Sequence, residues 1–120
     1  MTVFEIRDIA LGLNGVTEDI KWGDHLCFNV ADKMFLVTSP DLVPSPVSFK
    51  VAEDVFEETI SRAGFSKHNY LGRHNWVHLD DINRLTKNEW LQFITQSYQL
   101  VASKLSNKMR NKLNIEIEKI

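Results

Sequence analysis

The sequence predicts a single α+β domain in the order helix, three strands, helix, two strands, helix, with a five-stranded antiparallel sheet and the helices packed on one of its faces. Three observations predict it. Two capping boxes, Thr2-Val3-Phe4-Glu5 and Thr86-Lys87-Asn88-Glu89, each open an apolar repeat of helical period. Val47-Ser48-Phe49-Lys50-Val51 alternates apolar and polar residues, the mark of a strand with one buried face. Short β-rich runs are joined by turn residues, and connections this short favour antiparallel pairing.

In chain order, Ile6, Ile9, Ala10 and Leu13 follow the first capping box at helical spacing and Asn14-Gly15 closes the element, so helix one spans about residues 3 to 13. His25 to Val30 and Met34 to Thr38 are β-rich runs separated by Ala31-Asp32-Lys33, a hairpin. Pro40, Pro44 and Pro46 hold a loop in which neither helix nor central strand persists, and Val47 to Val51 is the third strand. Val55, Phe56 and Ile60 give Ala52 to Arg62 an amphipathic pattern, with Glu53 and Asp54 at its positive end and Gly64 past its close. A second hairpin runs from Phe65 to Tyr70, turns at Gly72 and returns from Asn75 to Leu79. The last helix carries Trp90, Leu91, Ile94, Tyr98, Val101 and Leu105 at alternating three- and four-residue steps. Residues 106 to 120 form a basic C-terminal helical extension of the same domain.

With 120 residues and a hydrophobic fraction of 43%, the chain can bury one core without covalent staples. Cys27 is the single cysteine, so no internal disulfide and no thiolate zinc cluster can form, which fits a reducing compartment. Glu5, Arg7 and Asp8 interrupt the N-terminal apolar residues as a secretory leader would not, and no run is long enough to span a bilayer; a cytoplasmic location without membrane partners follows as the expectation. The net charge of −2 is split: residues 1 to 60 hold 11 acids against 4 bases, and residues 61 to 120 hold 5 against 10. Such a split permits one electropositive face, although a pI near 6.1 is not that of a strongly basic domain.

Catalytic and metal chemistry find little footing. His25 and Cys27 share a strand face at about 6 to 7 Å, but Cys27 lies in an apolar run where a thiol is a small hydrophobe. His74 and His78 would sit about 13 Å apart on a strand, too far for one metal, and His68 approaches them only through the hairpin. Glu57-Glu58 and Asp80-Asp81 are adjacent pairs whose side chains diverge, and the glycines form no phosphate-cradling loop. No catalytic residue, metal ligand or cofactor is assigned, and the chain is not expected to be an enzyme.

Basic residues are more suggestive. Lys104, Lys108, Arg110 and Lys112 follow Glu89 with no acid until Glu116, and Lys67, His68, Arg73 and His74 flank the turn of the second hairpin, from which they could reach phosphates. Tyr70 and Trp76 interleave with them and could stack on bases; as large aromatics, Trp22, Trp76 and Trp90 suit a core equally well.

Taken together, Ile20-Lys21-Trp22-Gly23-Asp24, Lys33-Met34-Phe35, Val47 to Val51, Tyr70-Leu71-Gly72-Arg73-His74-Asn75-Trp76-Val77 and Ser97-Tyr98 through Leu105 resemble the MmcQ/YjbR family. The resemblance runs from helix one to about Leu113 and implies a fold similar to the frataxin-like and secretion-chaperone-like folds, in the same α-β-β-β-α-β-β-α order. It also implies DNA binding through a double-wing arrangement of β-hairpins. It picks out Trp22, Lys33, Phe35, Lys50, Tyr70, Arg73, Trp76 and Lys104. The resulting expectation is a protein that grips the backbone of double-stranded DNA with little sequence specificity, through Lys33, Lys50, Lys67, Arg73, His74, Trp76, Lys104, Lys108 and Arg110, with Asp32 opposing phosphate at the first hairpin's tip. The alternative is a protein-interaction module that holds a protein partner on its open sheet face, as a monomer or small homo-oligomer. A frataxin-like iron carrier would have only Glu5, Asp8, Glu18, Asp19 and Asp24 for its acidic ridge.

Overall fold

Thr2 caps the first helix in the computed structural model, which describes residues 1–117, and the same device with Thr86 opens the longest helix. The elements are α1 (Val3–Leu11), β1 (Val16–Lys21), β2 (His25–Val30), β3 (Lys33–Thr38), β4 (Val47–Lys50), α2 (Phe56–Ile60), β5 (Phe65–Lys67), β6 (Trp76–Leu79), α3 (Lys87–Ala102) and α4 (Asn107–Leu113). The strands form one antiparallel sheet in the order β1-β2-β3-β4-β6-β5.

That sheet has six strands where the sequence predicts five. The added strand, β1, lies at the edge beside β2, and its polar run Thr17-Glu18-Asp19 hides the alternation. Tertiary partners hold it: Arg7 on α1 forms a bidentate pair with Glu18 at 2.7 Å, and Asn29 on β2 donates to Asp19 at 2.9 Å. Charge on an edge strand also discourages pairing with a second chain. The first hairpin turns on two residues, Ala31 and Asp32, both left-handed at φ 48° and 63°, so Lys33 belongs to β3 and not to the turn.

A β-bulge in β3 organises both faces of the sheet. Phe28 pairs with Leu36 and Asn29 with Met34, leaving Phe35 as the extra residue. Phe35 and Leu36 therefore both enter the main core, while Met34 and Val37 both lie on the opposite face. Ser97 of α3, fully buried, donates to the Phe35 carbonyl at 2.6 Å and accepts the Lys50 N–H at 3.0 Å, which closes the ladder where the bulge opens it.

The helix-covered face packs Phe28, Val30, Phe35, Val47, Phe49, Val77 and Leu79 against Ile6 and Ala10 of α1 and Trp90, Ile94 and Tyr98 of α3. Trp90 is core, with its indole N–H donated to the Ile82 carbonyl at 2.9 Å. The helix expected over Ala52 to Arg62 is shorter: a 3-10 turn at Glu53–Val55 leads into α2, because its N-terminal turn has no side-chain cap and buries nothing. Helix one ends at Leu11, two residues earlier than its apolar spacing suggests. Of the expected helical extension only α4 is helical; Ile115 beyond it is buried in the core, and residues 118–120 lie outside the described residues.

Candidate binding site on the open sheet face

The face of the sheet away from the helices lines a cleft. Its floor carries His25, Met34, Val37, Ser48 and His78 from four strands, and a cleft of about 730 Å³ opens above them. One rim is the β1–β2 turn with Trp22; the other is the β5–β6 connection, residues 68 to 71, with Tyr70. Both aromatics project into solvent, Trp22 70% exposed and Tyr70 85% exposed. Trp22 also has a left-handed backbone, φ 52°, which bulky residues seldom adopt.

On the same face a small second cluster of Cys27, Val37 and Trp76, packed with Met34 and Leu71, makes the apolar part of that floor. Cys27 is fully buried, and burial pushes its thiol pKa up, so it is an inert packing group. Trp76 is 5% exposed and fills this cluster, which withdraws its ring from the stacking role the sequence suggested.

Three histidines line the cleft. His68 Nδ1 accepts the backbone N–H groups of Tyr70 at 3.1 Å and Leu71 at 3.0 Å, which fixes its proton on Nε2. Burial, and secondarily the charge of His78, holds its pKa below the ordinary imidazole value. His78 Nδ1 lies 3.1 Å from Ser48 Oγ, and His25 Nδ1 lies 2.8 Å from Asp24. The Ser48–His78 pair has the separation of a nucleophile and its base, but Asp80, the nearest acid along the strand, is held by Arg84 at 2.6 Å. Among the described residues no three His, Cys, Asp or Glu side chains converge as a metal site.

The register gathers most of the predicted basic residues. β3 begins, β4 and β5 end and β6 begins at one end of the sheet, which brings Lys33, Lys50, Lys67, Arg73 and His74 there. The Ser97 bonds direct the C-terminal half of α3 to the same end, and Lys104 just beyond it lies against Lys50. Burial first, and then the Lys104 ammonium, lowers the Lys50 pKa. The aliphatic stem of Lys67 lies over Gly72, where a Cβ would stand 2.3 Å from Lys67 Cγ. Ion pairs among the described residues occupy Arg7, His25, Arg62 and Arg84, and none of these five lysines and arginines at the sheet end.

Arg110 and Lys108 stand apart from that group on α4. Arg110 folds back to donate to the Ser103 and Leu105 carbonyls and to Asn107, so its guanidinium serves the end of α3. Lys108 is exposed on the same short helix. In the sequence Trp22 suits a core on its residue type and is picked out by the family resemblance without a role, and His68, His78 and Ser48 have no joint role; the only local sign is a tryptophan next to Gly23 in a polar turn.

Comparison with known proteins adds the following. The family model for YjbR matches residues 11–100. A Deinococcus radiodurans protein with a DUF419 domain superposes with a TM-score of 0.88 at 21% identity, covering 98% of this chain and 91% of that one. A Pseudomonas syringae protein superposes with a TM-score of 0.68 at 17% identity, covering 83% of this chain and 98% of that one. At these identities the likeness is one of fold. No functionally curated protein matches the sequence.

Proposed function

The chain belongs to the YjbR family, and from that premise we propose that it is a non-enzymatic cytoplasmic protein that grips the phosphate backbone of double-stranded DNA at the cationic end of its sheet, with little sequence specificity. The observation that carries this reading is the gathering of Lys33, Lys50, Lys67, Arg73 and Lys104 at one end of the sheet, with no carboxylate ion-paired to them among the described residues. Two ammonium groups side by side, as at Lys50 and Lys104, cost free energy until an anion arrives, and a phosphate oxygen is the anion DNA offers.

Asp32 in the β2–β3 turn stands next to Lys33 and limits the footprint. Five cations would release roughly four to five counterions, giving binding that weakens steeply with salt but carries no base readout. Backbone contact by flexible lysines positions a duplex without reading it. The buried free Cys27 and the lack, among the described residues, of a helix long and apolar enough to cross a membrane are compatible with the cytoplasmic setting.

Anisotropy of a labelled random duplex, titrated at two salt concentrations, tests the reading. The expected result is salt-sensitive binding in which Arg73→Ala and Lys104→Ala each reduce the salt slope by about one. Absence of binding at low salt would overturn it.

A further inference from the structure

The cleft on the open face shares Lys67 with the cationic end of the sheet but has a chemistry of its own. Trp22 is costly twice over: a bulky residue in a left-handed backbone is strained, and an aromatic 70% exposed forgoes burial. Glycine, asparagine or aspartate would relieve that turn, so the tryptophan earns its place through what its ring can touch. On another part of the same lining, Tyr70 is 85% exposed yet its backbone is pinned by His68. Each of these two rings, exposed at the rim of one cleft, offers a surface on which a flat ring can stack.

The floor between them is polar but almost uncharged. His68 offers an Nε2–H whose position is fixed by the two bonds at Nδ1, and the Ser48–His78 pair offers a hydroxyl and a ring nitrogen. Among the described residues Lys67 is the one permanently charged group in the lining. Such an inventory suits a flat ring with several neutral donors and acceptors and leaves a multiply charged ligand poorly compensated. The volume of about 730 Å³ lies within the range of sites that enclose a single small ligand.

We propose that the cleft seats a planar, neutral heteroaromatic ring of the nucleobase type, stacked on Trp22 and Tyr70 and hydrogen-bonded to His68 and the Ser48–His78 pair. The ring can come from a free nucleoside or from an unstacked base of a single strand; a duplex keeps its rings paired and stacked. The seat does not depend on the phosphate-gripping reading, because a nucleoside carries no phosphate.

The test is fluorescence titration of the full chain with 2-aminopurine riboside, and with a short single strand containing 2-aminopurine. Saturable quenching is expected from at least one of them, with affinity reduced about fivefold or more by Trp22→Ala and by Tyr70→Ala, and retained by Tyr70→Phe. Both alanine variants remove exposed side chains, and circular dichroism verifies their folding. Quenching by the riboside assigns the seat to free nucleosides, and quenching by the strand alone assigns it to a base within a chain. Arg73→Ala and Lys104→Ala should leave riboside affinity unchanged. No saturable quenching by either probe, or quenching undiminished in both alanine variants, overturns the seat; if the strand signal then falls only with Arg73→Ala, the phosphate reading stands alone.

Discussion

His68 holds Tyr70 in place: its Nδ1 accepts the Tyr70 backbone N–H at 3.1 Å, together with that of Leu71 at 3.0 Å. Protonation at Nδ1 would set an N–H against two others, so the folded state favours the neutral ring. Burial and then His78 act in the same direction, and the folded-state pKa lies below the ordinary 6.5. For a group with a depressed pKa, the stabilisation is complete above the unfolded-state value and is lost as the pH falls through the folded-state value. An NMR titration should therefore find His68 titrating below 6.5, with the Tyr70 and Leu71 amide resonances shifting in step. A midpoint at or above that value would remove His68 from the role of acceptor.

Ser97 joins the bulge of β3 to the end of β4 by one donated and one accepted bond, and it is fully buried. Ser97→Ala leaves the Phe35 carbonyl and the Lys50 N–H without this partner. Each stranded buried group costs about 1–3 kcal/mol, so a loss of about 2–6 kcal/mol is expected in urea unfolding, with an unchanged m-value. A loss below about 0.5 kcal/mol, the level of ordinary surface changes, would mean that the bulge does not depend on the hydroxyl.

Much of this fold was readable because local signals coincide with tertiary structure. Both capping boxes form, α3 follows its apolar steps, and β2, β3 and β4 fall within a residue or so of their β-rich runs. β1 was missed because its pairing depends on Arg7 and Asn29, which lie on other elements, and its own residues are mostly polar. The bulge at Phe35 was not legible, since register belongs to a pair of strands and not to one. The resemblance selected Lys33, Lys50, Arg73 and Lys104, and the sheet unites them; charge alone also selected Arg110, which the end of α3 consumes. The cleft draws on residues from Trp22 to His78, and no linear pattern links them.

Trp22→Asn should separate stability from binding. Asparagine tolerates the left-handed backbone that costs most residues about 1–2 kcal/mol, whereas the indole's edge-on contact with His25, 5.5 Å between centroids, is worth less in so exposed a setting. A gain of about 0.5–1 kcal/mol in unfolding free energy is expected, together with weaker quenching of 2-aminopurine riboside. If the variant instead loses more than about 1 kcal/mol, the indole is a structural group and its strain says nothing about a ligand.

Lys104→Glu provides the complementary separation at the cationic end. Lys50 is partly buried beside Lys104, and the lowered pKa means that the fold disfavours its charged form. For a lysine depressed in this way, the penalty is present while the group is charged and is relieved as the pH rises through the folded-state value toward the ordinary 10.5. A carboxylate at position 104 turns the repulsion into an ion pair, which should raise the Lys50 pKa and, after discounting for solvent screening, add about 0.3–0.5 kcal/mol at neutral pH. The same change removes the Lys104 contact and engages the Lys50 ammonium in an ion pair, so the salt slope of duplex binding should fall by about two, against about one for Lys104→Ala. A group kept for stability would give losses in both measurements. Higher stability with poorer DNA binding would identify the paired lysines as cations kept for an anion, whereas higher stability with unchanged duplex affinity would exclude them from the interface.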